Sequence, residues 1–159
     1  MVRPTNETDT TGRVQAIRAL ARMARQLERS SGDLNLAHYR VLAAVADGDE
    51  RASRVADRLA LGKPTVSAAV ESLTKRGLLS REDAADDRRA ATLTLTPAGE
   101  AALAAVEEGM LERLDDLCAR TPEPDAVLDA LARLGEALDE VADERLAARK
   151  AKGAAGKSA

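Results

Sequence analysis

Arg51-Ala52-Ser53-Arg54-Val55-Ala56-Asp57-Arg58-Leu59-Ala60-Leu61-Gly62-Lys63-Pro64-Thr65-Val66-Ser67-Ala68-Ala69-Val70-Glu71-Ser72-Leu73-Thr74-Lys75-Arg76-Gly77 decides how this chain folds. From Ala52 to Leu61, Val55, Ala56 and Leu59 make one apolar face and leave Arg54 and Arg58 to solvent. A short turn follows, in which Gly62 suits an N-cap and Pro64 is tolerated because first-turn amides have no intrahelical partner. In the next segment Val66, Val70 (or Ala69) and Leu73 recur at three-to-four spacing, with Thr65, Ser67, Ala68, Glu71 and Ser72 outward. Gly77 closes it, and Lys75 and Arg76 suit the negative end of the helix dipole. Two strand-like runs come next, Leu78–Arg81 and Ala91–Thr96, the second alternating cleanly so that one face is buried. The tip between them, Glu82 to Arg89, is too charged for a core. Helix, turn, helix and a two-stranded wing is a shape that docks on DNA.

Upstream, Val14, Ile17, Leu20, Ala21, Ala24 and Leu27 carry a helical period that Ser30-Ser31-Gly32-Asp33 ends. A second helix runs from about Asn35 to Ala46, with Tyr39, Leu42 and Val45 or Ala46 on one stripe, and stops at Asp47-Gly48-Asp49. Downstream, a long helix from Pro97 to about Arg120 carries Leu103, Val106, Met110, Leu114 and Leu117, and Thr121-Pro122-Glu123-Pro124 breaks it. In a sixth helix Val127, Leu131, Leu134, Leu138 and Val141 form a narrow seam suited to packing on another helix. The expected fold is mainly α, a winged helix-turn-helix of six helices and a two- to three-stranded wing with a helical dimerisation region. The expected divisions are a mobile N-terminus (1–12), a dimerisation helix (13–34), a DNA-binding lobe (35–96), long dimerisation helices (97–146) and a basic, disordered tail (147–159).

Composition points the same way. Hydrophobic residues make up 45% of the 159, yet Tyr39 is the only aromatic one, so a monomeric core is thin. Long Leu/Ala-striped helices that bury their faces on a second chain solve that problem. The net charge of −3 conceals an uneven distribution: residues 51–96 hold nine Lys/Arg against six Asp/Glu, and residues 97–145 hold four against fourteen. A basic centre beside an acidic segment fits a protein that offers one face to phosphates, and also an ordinary pair of solvated helices. No run reaches the roughly 20 apolar residues of a membrane span. The N-terminus lacks a signal-peptide pattern, and Cys118 is alone. The expected location is cytoplasmic, with no membrane partner.

Leu59 to Ser67, followed by Leu73-Thr74-Lys75-Arg76-Gly77-Leu78-Leu79, resembles the recognition-helix region of MarR-type regulators. Asp87-Arg88-Arg89-Ala90, and then Leu93-Thr94-Leu95-Thr96-Pro97-Ala98-Gly99, resembles that family's wing and the start of its long helix, and Leu36 to Leu42 its second helix. The resemblance spans about residues 13–145. It implies a homodimeric, DNA-binding transcriptional regulator, usually a repressor, on a pseudo-palindromic operator, with the first, fifth and sixth helices of two chains intertwined.

On this reading the fourth helix enters the major groove with its N-terminal residues nearest the base edges. Thr65 and Ser67 offer hydroxyls, Ala68 suits a thymine methyl, and Lys63 with the first-turn amides after Pro64 suits a phosphate. Arg54 and Arg58 are candidates for backbone contacts. The plain alternative for Thr65 and Ser67 is first-turn capping. At the wing, the resemblance sends Arg89 into the minor groove and Arg88 to phosphate, with Asp87 holding the tip in shape; the alternative is a solvated hairpin. Relatives often carry a basic side chain where this chain has Ala68, Ala69 and Glu71, which shifts weight from direct readout to the wing and DNA shape.

Family members often bind small aromatic anions between the dimer helices and the DNA-binding lobe. His38, Tyr39, Arg40 and Met110 are the candidate lining of such an effector pocket, against an ordinary role for Tyr39 in the core and His38 on a helix surface. Cys118, beside Leu114 and Leu117, reads as a small buried hydrophobe. No catalytic, metal or cofactor constellation stands out: one His, one Cys and no Gly-rich phosphate loop argue against an enzyme. The competing function is a winged-helix interaction module or anti-regulator with weak or lost DNA binding, which Ala68, Ala69 and Glu71 keep open.

Overall fold

A computed structural model of the chain describes residues 7–48, 50–84 and 87–155, with side chains for 10–48, 50–82, 91–148 and 151. Among them run α1 (Glu7–Ser30), α2 (Leu36–Ala46), α3 (Ala52–Arg58), α4 (Lys63–Lys75), β1 (Leu79–Ala84), β2 (Asp87–Leu95), α5 (Pro97–Cys118) and α6 (Pro124–Ala155). This is the mainly α winged helix-turn-helix, and the described strands form one antiparallel two-stranded sheet. Leu79 lies opposite Leu95 and Arg81 opposite Leu93, with an irregularity between Glu82 and Ala84. Before α3, Glu50 O accepts from Leu93 N–H of this sheet at 2.7 Å.

The core sits where α2, α3 and α4 meet the root of the wing and the first half of α5. Val41, Leu42, Val55, Val66 and Leu73 are wholly buried, and Leu79, Leu93, Leu103, Val106 and Met110 close around them. Burying one such side chain contributes about 1.5–3 kcal/mol over leaving it exposed. The cluster holds no aromatic ring; Tyr39 packs half-buried at its edge.

Two boundaries differ from those the sequence predicts. Helix α1 begins at Glu7, well ahead of the apolar period at Val14. Helix α6 continues to Ala155, through residues expected to leave the helix as a disordered tail from 147. Apolar periodicity reports burial rather than helicity. Once a helix is nucleated, each added residue gains a hydrogen bond at low cost. The Ala, Lys and Arg of 145–155 are strong helix formers, and their cations suit a helix C-terminus.

Candidate nucleic-acid interface

The turn between α3 and α4 sets the site. Leu61 N–H donates to Ala56 O at 3.1 Å and Ala60 N–H to Asp57 O at 3.3 Å, closing α3 around Ala60 at φ +51°. Gly62 is then the N-cap of α4, with Pro64 in the first turn and no side chain capping the end. Val66, Ala69, Val70 and Leu73 anchor one face in the core; Lys63, Pro64, Thr65, Ser67 and Ala68 stand together on the exposed one. Glu71, also exposed, accepts a 2.7 Å hydrogen bond from Lys75 Nζ, and this partner holds its carboxyl below the usual carboxylate range. The negative charge of Glu71 is thus offset by a cation on its own helix.

Arg54 and Arg58 are both exposed on α3. Arg58 is engaged: its Nη2 lies 3.5 Å from Asp47 Oδ2 and 3.6 Å from Asp139 Oδ1, so a phosphate would have to exchange for these carboxylates. Asp87, Arg88 and Arg89 open β2, and their side chains lie outside the described ones. Arg81 on β1 has no role that the sequence patterns assign. It lines a groove of about 450 Å³ with Ser67, Glu71, Thr74 and Lys75. Its charge is visible in the sequence, but only the pairing of the wing beside α4 puts it there.

Behind the reading head, α1, α2 and α5 line an open cleft of about 470 Å³. Leu27, Leu36, Met110 and Leu114 give it apolar walls, and Tyr39, Arg40 and Glu107 also line it. Burial pushes the Tyr39 phenol up, helped by the negative charges of Glu107 and Asp47. Tyr39, Arg40 and Met110 are thus brought together, as the sequence suggests. His38 is not with them. Its Nδ1 is enclosed without a hydrogen-bond partner, and burial, with the nearby Arg76 cation, holds its imidazole below the ordinary value.

Residues 32–90 match the model of the MarR family. Among solved structures, the chain is similar to the MarR family transcription regulator SP03579, with 23% identity over 92% of this chain and 95% of that one and a TM-score of 0.68. It is also similar to Sco3205, a MarR family transcriptional regulator from Streptomyces coelicolor in complex with DNA, with 22% identity, 86% and 90% coverage and a TM-score of 0.67. CouR from Rhodococcus jostii RHA1, bound to p-coumaroyl-CoA, gives 20% identity, 87% and 95% coverage and a TM-score of 0.65. No curated protein matches the chain. Over residues 32–90 the chain is similar to the MarR-family winged helix.

The MarR-type lobe so defined opens at the α1–α2 turn and closes inside the wing at Ala90. The long helices α5 and α6 lie outside the matched segment, yet the fold as a whole follows MarR-type structures along most of its length. Among the described residues, no His/Cys/Asp/Glu group is arranged to hold a metal ion, and no helix is long and apolar enough to cross a membrane.

Proposed function

We propose that this chain is a cytoplasmic DNA-binding transcriptional regulator that acts as a homodimer on a pseudo-palindromic operator and represses the adjoining genes. The observation that carries the reading is the division of α4. One face is locked in the core by Val66, Val70 and Leu73, while the first two turns present Lys63, Thr65, Ser67 and Ala68 outward from an uncapped N-terminus. A helix held this way inserts into a major groove while keeping its packing, and its free N-terminal dipole favours phosphate. Arg88 and Arg89 at the wing supply the second contact, in the minor groove and on its backbone.

The homodimer is supported by apolar side chains that one chain leaves in water. Ile17 on α1 is 67% exposed and Leu138 on α6 63%, with Leu20, Leu111, Leu134 and Val141 also open. Leu134, Leu138 and Val141 of the α6 seam are therefore left open within one chain. An effector is supported by the 470 Å³ cleft, which falls within the roughly 300–1,000 Å³ of small-molecule sites. Apolar walls with the Arg40 cation suit a small organic anion. CouR, a structural relative of the same fold, is bound to p-coumaroyl-CoA.

A gel shift with the DNA flanking the chain's own gene tests the reading. A retarded band that weakens steeply with salt is expected, because Lys and Arg contacts release counterions. The absence of any retarded band at low salt overturns it in favour of the interaction module.

A further inference from the structure

We propose that the basic end of α6, from Arg145 to Lys152, is a DNA-binding arm that grips the phosphate backbone flanking the operator. The inference rests on the DNA-binding reading above and adds to it a surface outside the winged helix.

Helix α6 crosses the reading head. Asp139 reaches Arg58 of α3, and further along Arg145 and Ala148 line a groove of about 460 Å³ with Asp57, Leu61 and Gly62. Gly62 caps the end of α4 that faces DNA when such a helix docks. The charge of α6 reverses at this crossing. Residues 124–144 carry seven Asp/Glu and one Arg; residues 145–159 carry five Lys/Arg and no acidic residue. The helix continues from Ala148 to Ala155, a rise of about 10 Å beyond the groove. The acidic half thus ends where it has met Arg58. From Arg145 onward, past the N-terminal end of α4, every charged residue of the sequence is basic. Cations suit any helix C-terminus, but these follow the point where α6 passes Gly62, where a duplex on α4 would attract each basic side chain.

The test compares the full-length parent with a variant in which Arg149, Lys150 and Lys152 are all changed to Ala. Glutamine at the same three positions gives a second, helix-compatible set, and circular dichroism confirms that helix content is kept. Binding is titrated against salt on two duplexes. One spans only the operator half-sites; the other is longer by about one helical turn on each side.

On the longer duplex the variants are expected to bind about tenfold or more weaker, with a salt slope shallower by roughly 0.9 for each phosphate no longer neutralised. On the short duplex parent and variants should bind alike. Unchanged affinity and slope on the longer duplex overturn the arm alone, as does an equal weakening on both duplexes. A parent that retards neither duplex overturns the DNA-binding reading, and the arm with it.

Discussion

A β-carbon placed on Gly99 would lie 1.9 Å from the carbonyl oxygen of Leu78, so the first turn of α5 rests directly on the backbone at the root of the wing. Thr96 ties the same point: its hydroxyl donates to Gly77 O at 2.6 Å and accepts from Gly99 N–H at 3.0 Å, and its own amide donates to Leu78 O at 3.2 Å. The wing and the long helix therefore meet backbone to backbone. Gly99→Ala should force them apart and cost at least the 1–3 kcal/mol or so of an overpacked core. Thermal unfolding measures it, and an unchanged melting temperature would contradict the close approach.

Ala60 gives a prediction of the opposite sign. It holds φ +51° at the α3–α4 turn, a conformation that costs an L side chain about 1–2 kcal/mol. Ala60→Gly relieves this while adding unfolded-state freedom, so a net gain of up to about 1 kcal/mol is expected. Reduced stability in a denaturant titration would show that the methyl group packs usefully in the turn.

Arg89→Ala should weaken operator binding by about tenfold or more and leave the dimer intact, because a charge in a narrow minor groove supplies both affinity and shape readout. Anisotropy at matched salt, with sedimentation as a control, measures it. Equal affinity of variant and parent would remove the wing from the interface.

His38 makes stability depend on pH. Burial and the Arg76 cation place its folded pKa below the ordinary histidine value of 6.5, so in the window beneath 6.5 the unfolded chain binds more protons than the folded one. The His38 contribution to stability is therefore complete above that window and is lost as pH falls through it toward the folded pKa. His38→Gln should flatten this part of the profile. A parent and variant whose stabilities fall in parallel as pH drops below 6.5 would exclude His38 as the group responsible.

Much of this is legible in the sequence because it is local. The three-to-four spacing of Val66, Val70 and Leu73 orients α4, Gly62 and Pro64 mark its start, and Gly77 its stop. The alternation of Thr92 to Thr96 gives β2. The ends of α1 and α6 are not legible, since their apolar period stops before their hydrogen bonding does.

The tertiary structure decided what depends on distant residues meeting. Arg58 can be read as exposed on its helix, but not as paired with Asp139, because nothing local encodes a contact between α3 and α6. His38 and Tyr39 are neighbours in sequence, yet Tyr39 lines the cleft with Met110 and His38 does not, because successive residues of a helix point about 100° apart. Hydrophobic spacing fixes which face of each element is buried. Which side chains then converge is set by how those faces pack.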